Sequence, residues 1–171
     1  MKKSLKITAI LILCLCVVTI PIIVLNPSRN GTSSKWNYYV ELEIFGASEE
    51  VNIKGISFTI ETFLWRDFMP GPDVPPDGTL LIVIIQIYAQ GEEDFPTSLK
   101  VERLWLIKGD VIVSTLSTDE YSINGNCLEM VFRDGPKWGP GIYIDVVVKL
   151  IEINFNRYYL KAVNQYIYRT D

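Results

Sequence analysis

Residues 80–89 read LLIVIIQIYA, a run in which Gln86 is the one polar side chain. Ten positions reach about 15 Å as a helix, half the thickness of a bilayer core. The β-branched content points to a strand instead. A strand with so few polar positions reads as central and covered on both faces.

The sequence on either side has the same period. Tyr38, Val40, Leu42 and Ile44 alternate with Tyr39, Glu41 and Glu43. Ile56, Phe58 and Ile60 alternate with Ser57, Thr59 and Glu61. Downstream, Leu99 to Lys108 and Val111 to Leu116 are joined by Gly109-Asp110, a two-residue hairpin signal, and Asn124-Gly125 is another. Leu128, Met130 and Phe132, and then Ile142, Ile144, Val146 and Val148, keep the alternation. A last strand is expected from about Tyr158 to Arg169. Seven to nine short strands with Gly/Pro turns and no amphipathic helix predict an all-β fold, an antiparallel β-sandwich.

Two features over residues 79–169 resemble an immunoglobulin-like or fibronectin type III-like domain. Trp105 lies mid-strand, and Pro140-Gly141-Ile142-Tyr143-Ile144-Asp145-Val146 leads into the penultimate strand. The resemblance implies an immunoglobulin-like antiparallel sandwich with a tryptophan buried in it. It departs from those families in two respects. There is no cysteine pair, and Tyr143 shares a face with Asp145 where a tyrosine corner points inward. The resemblance speaks to fold class and not to function.

The first thirty-five residues are of a different kind. Residues 7–25, ITAILILCLCVVTIPIIVL, hold no charge, and at helical rise they match a bilayer core of about 30 Å. Lys2, Lys3 and Lys6 precede them, which favours a cytoplasmic N-terminus. No small-x-small cleavage motif follows the run closely. The predicted organisation is a basic segment (1–6), a single-pass transmembrane signal anchor (7–25), a polar linker (26–35) and an extracytoplasmic domain (36–171). A cleaved signal peptide, which would release the domain, is the alternative. A buried helix of a soluble domain is a poorer reading, because it would normally show a polar face. Asn30-Gly31-Thr32 in the linker fits the N-glycosylation acceptor pattern.

All twenty acids and all twenty aromatic residues lie after position 35, with eleven of the sixteen bases, so the body carries a net charge of −9. That balance argues against nucleic acid as a partner. Histidine is absent, and Cys127 is the body's lone cysteine. Zinc, copper and His-activated nucleophiles are therefore poorly supplied, and no internal disulfide can form there. There is no EF-hand loop, no P-loop, no G-x-G-x-x-G and no G-x-S-x-G. No catalytic residue, metal or cofactor is expected.

Residues 70–78 (PGPDVPPDG) and 135–141 (GPKWGPG) hold six of the nine prolines and five of the eleven glycines. Such composition makes defined loops. Phe68 precedes the first, and Lys137 and Trp138 lie in the second. Trp138, with Lys137 and Phe68 as neighbours, is the candidate ligand contact if exposed; otherwise it caps the end of the sandwich. The aromatic pairs Tyr38-Tyr39, Tyr158-Tyr159 and Tyr166/Tyr168 read as cross-strand packing before a carbohydrate platform. The functional expectation is a non-catalytic binding, adhesion or assembly module held to the membrane through residues 7–25, with a protein or glycan partner. An accessory subunit of a membrane complex and a secreted carbohydrate-binding or hydrolytic domain are the alternatives.

Overall fold

The structure, a computed structural model, describes residues 37–38, 44, 46–72, 74–91, 94–118 and 120–171. The anchor 7–25, the linker and the acceptor Asn30 lie outside them. Among the described residues no helix is long and apolar enough to cross a membrane.

The fold is all-β. In chain order the strands are β1 (Asn37–Tyr38), β2 (Glu50–Ile53), β3 (Ile56–Asp67), β4 (Leu81–Ala89), β5 (Leu99–Lys108), β6 (Val111–Leu116), β7 (Tyr121–Asn124), β8 (Cys127–Gly135), β9 (Tyr143–Glu152) and β10 (Arg157–Thr170). They form one mixed sheet in the order β1-β6-β5-β9-β10-β3-β4-β8-β7, with β2 paired to β3. Every pairing of named strands is antiparallel except that of β10 with β3.

The sheet curls because β10 serves two neighbours. Residues 157–166 pair with β9, and Ile167–Thr170 run parallel to Leu64–Asp67 of β3. Within the stretch paired with β9 the register slips between Ala162 and Gln165, just before the switch to β3, and Asn164 takes φ 54°. A bulge of this kind bends its strand. The Asp145 Oδ1 accepts the Asn164 backbone N–H at 2.8 Å and so holds the bend. The inner face of β3, β4 and β8 then meets that of β5, β9 and β10. Phe58, Leu64, Val83, Ile85, Leu104, Leu106, Val148 and Leu160 belong to one buried cluster. Each such side chain contributes roughly 1.5–3 kcal/mol on full burial, against the entropy of ordering the chain.

Three expectations change. β4 is covered on one face only. Leu81, Val83, Ile85, Ile87 and Ala89 are buried, while Ile82, Ile84, Gln86 and Tyr88 are half-buried on the outer side. A continuous apolar run cannot by itself report whether its second face is packed. Trp105 is fully buried, yet on the outer face of β5. Its partners Ser114 and Val147 lie on that face, and Ile44, Ala47 and Val147 form its cluster. Leu104 and Leu106 take the inward positions, so alternation turns Trp105 away. Finally, the strand expected from Tyr38 to Ile44 is in place at Tyr38, residues 39–43 lie outside the described residues, and its expected end, Ile44, is in a tight turn against Trp105 instead.

β2 carries no strong sequence signal. Its hairpin turns at Lys54-Gly55, with φ of 54° and 92°, and the Asn52 Oδ1 accepts the Gly55 N–H at 3.0 Å. Lysine is an uncommon residue for such a turn, whose usual signature is Asn-Gly or Asp-Gly.

Candidate functional site

The two proline-rich loops come together beside the ends of β3 and β10, held by Arg66. Its side chain is buried and donates three hydrogen bonds to backbone carbonyls: Nε to Thr79 at 2.7 Å, Nη1 to Gly139 at 2.7 Å and Nη2 to Asp77 at 2.5 Å. A planar fork of donors suits such scattered acceptors. Lys137 adds an ion pair to Asp77 at 2.6 Å, and its hydrogen bond holds the Asp77 carboxyl below its ordinary value.

The loop candidates thus have internal partners. The Phe68 ring packs on Gly78 and lies under two guanidinium groups, Arg66 at 5.1 Å and Arg169 at 4.1 Å. Lys137 is paired with Asp77. Trp138 is half-buried against the core, with the Lys108 ammonium 5.8 Å from its ring centre. The structure brings Phe68 and Lys137 to the same pair of loops, and each holds those loops together.

Most of the exposed aromatic surface lies elsewhere, on the outward positions of β3, β9 and β10. Leu64, Ile144 and Ile167 point inward and are buried. Their neighbours Phe63, Trp65, Tyr143, Tyr166 and Tyr168 therefore point outward. The five rings touch in sequence. Tyr143 meets Tyr166 at 5.1 Å, Tyr166 meets Tyr168 at 4.9 Å, Tyr168 stacks on Phe63 at 5.3 Å, and Phe63 meets Trp65 at 5.3 Å. Phe63 remains 48% exposed, Tyr143 63%, Tyr166 36% and Tyr168 47%. Across the sheet Phe63 pairs with Ile84 and Trp65 with Ile82, and Ile84 pairs with Val131, which extends the apolar surface over β4 and β8.

A polar row borders it. Glu61, Gln86 and Glu129 are cross-strand partners on the same face. The Gln86 Nε2 donates to Glu129 Oε2 at 2.7 Å, and the Tyr88 hydroxyl donates to Gln86 Oε1 at 3.0 Å. Burial pushes the Tyr88 phenol and the neighbouring Cys127 thiol up from their ordinary values. A raised pKa leaves the thiol protonated and weakly reactive at neutral pH. Among the described residues no group of His, Cys, Asp and Glu is arranged to hold a metal ion.

Of the pairs read from the sequence as cross-strand packing, Tyr166/Tyr168 belongs to this larger, solvent-facing surface, whereas Tyr158 packs against the core and Tyr159 against Trp105. Sequence signals for it existed. Phe63 and Trp65, Tyr143, and Tyr166 and Tyr168 all occupy the parity opposite to the apolar core row of their strands. What alternation cannot show is that a parallel pairing of β10 with β3, more than a hundred residues apart in the chain, joins the three groups. Comparison of the chain with protein-family models, with curated proteins and with solved structures finds no match in any of the three.

Proposed function

We propose that this chain is a membrane-anchored, immunoglobulin-like β-sandwich that acts outside the cytoplasm as a non-catalytic binding module, with the outer aromatic face as its contact surface. Strand order supports the sandwich reading. From β3 to β10 the strands follow one another as A, B, C, C′, D, E, F and G of an immunoglobulin-like domain, with β3-β4-β8-β7 as the ABED sheet and β6-β5-β9-β10 as C′CFG. The apolar leader and its flanking lysines support the anchor and its orientation.

The observation that carries the binding role is the contiguous run of five rings from Tyr143 to Trp65, four of them more than a third exposed. Soluble surfaces rarely leave large apolar patches uncovered unless they bind something. Tyrosine and tryptophan are the side chains that most often dominate such contacts.

The test uses the full-length chain with a C-terminal tag in its own cells. Recovery in the membrane fraction, with the tag open to protease from outside, is the expected result. A photo-crosslinking residue at Tyr168 should then give a discrete adduct that the same residue at Ile123, exposed on β7, does not. Recovery in the soluble cytosol, or identical adducts from both positions, would overturn the proposal.

A further inference from the structure

We infer that the aromatic face takes a cationic partner, a protein segment that lays lysine or arginine side chains over the rings and between the carboxylates around them. The inference rests on the binding role proposed above and adds the chemistry of the occupant. On β3 and β4 the outward charges are acidic, while the bases on the outward side of β9 and β10 include Lys149, paired with Glu102 at 2.7 Å, and Lys161, across from Val147 and away from the ring run. Along β3 the outward positions run Glu61, Phe63, Trp65 and Asp67, and along β4 Ile82, Ile84, Gln86 and Tyr88, with no base among them. Asp145 stands two residues beyond Tyr143 on the outward side of β9, and Glu129 lies across from Gln86. The outward base of β8, Arg133, is held by Glu120 through two hydrogen bonds of 3.0 and 2.8 Å. The aromatic patch therefore has an acidic border on its β3, β4 and β8 side, formed by Glu61, Asp67 and Glu129.

Ring faces and carboxylates favour the same visitor. The face of an aromatic ring is the negative part of its quadrupole and attracts ammonium and guanidinium groups. The molecule already uses this contact internally, where Arg66 and Arg169 lie against the Phe68 ring. A second copy of this face would bring carboxylates against carboxylates. Anionic lipid and nucleic acid meet the same repulsion.

The experiment uses the full-length chain in uncharged detergent micelles and fluorescein-labelled oligo-arginine as the probe. Oligo-glutamate, an uncharged Gly-Ser peptide and a neutral oligosaccharide serve as comparators. Oligo-arginine should bind best, and more weakly as salt is raised. The double variant Phe63→Ser with Tyr168→Ser should weaken it about tenfold through the loss of two cation–π contacts, while leaving net charge unchanged. That constancy of charge separates a built surface from general attraction to an acidic protein. Glu61→Gln with Glu129→Gln should weaken binding and flatten its salt dependence, with no ring removed. An unchanged thermal midpoint in either variant shows that the fold is intact. Equal oligo-arginine binding by the ring variant and the wild type would overturn the inference, as would preferred binding of oligo-glutamate or of the oligosaccharide to the aromatic face. If the Tyr168 crosslink forms while ring removal leaves oligo-arginine binding untouched, the binding role stands and the cationic partner falls.

Discussion

The Nη1 of Arg66 donates to the carbonyl oxygen of Gly139 at 2.7 Å, joining β3 to a loop 73 residues further along the chain. Two other donors of the same guanidinium hold Thr79 and Asp77. Arg66→Lys keeps the charge but replaces a planar fork with a point donor, so at least one carbonyl loses its partner. The expected loss is ~1–3 kcal/mol, the cost of a buried polar group left unsatisfied. Arg66→Leu should cost more. Urea unfolding at neutral pH measures both, as a lower midpoint with an unchanged slope.

Gly78 has a φ of 78° and no room for a side chain, since an added Cβ would lie 2.6 Å from Phe68 Cζ. Gly78→Ala is therefore expected to destabilise by about 1–3 kcal/mol, combining backbone strain with displacement of the Phe68 ring. The double variant Gly78→Ala with Phe68→Ala removes the clash and should show less than the sum of the two single losses. A thermal melting series on the four proteins makes the comparison.

Trp105 is wholly buried on the outer face of β5, and its Nε1–H has no hydrogen-bond acceptor among the described residues. Trp105→Ala should cost ~3–5 kcal/mol through the cavity it opens. Trp105→Phe keeps a six-membered ring in the site and removes the orphan donor, whose burial costs ~1–3 kcal/mol. Its net loss should be well below that of the alanine variant. Equal losses for the two would show that the indole N–H is not a burden.

The Glu152 side chain, at the end of β9, is buried and pairs with Lys54 in the β2–β3 turn, with Asn156 Nδ2 donating to it at 3.2 Å. The hydrogen bond from Lys54 is the first cause that holds the Glu152 carboxyl below its ordinary value of 4.5. A lowered folded pKa means that the stabilisation is complete above about 4.5 and disappears as pH falls through the lower folded value. Lys54, raised above its ordinary 10.5, contributes below that pH and loses its contribution as pH rises past it. Glu152→Gln should therefore flatten the acid limb of a stability–pH curve between neutrality and pH 2–3. Asp77 and Glu120 are lowered by their own partners, so the limb should persist in reduced form. An acid limb unchanged by the substitution would refute the assignment.

Much of the fold was legible because a strand's two faces are written in a period of two. β5 and β6 occupy the stretches that alternation assigns to them, Leu99–Lys108 and Val111–Leu116, and Gly109-Asp110 turns between them. β2 was not legible, because Lys54-Gly55 makes its turn without the residues that usually signal one. The loops 70–78 and 135–141 were recognisable from their prolines and glycines. That Arg66 would bind them together was not, since an isolated arginine in a strand reads as an exposed charge.

By itself the sequence determined the division into an uncharged apolar stretch and an acidic, aromatic-rich body, and it determined the all-β character of that body. Both follow from local properties, the run of uncharged residues and the parity of apolar ones. The tertiary structure decided which outward residues meet. Tyr143, Tyr166 and Tyr168 join Phe63 and Trp65 because β10 bends at Asn164 and runs beside β3. It also decided that Trp105 lies on the outer side of the sheet, since Leu104 and Leu106 already occupy the inner positions of β5. Strand pairing over a hundred residues depends on how two faces close over a shared core, and no window of sequence contains both partners.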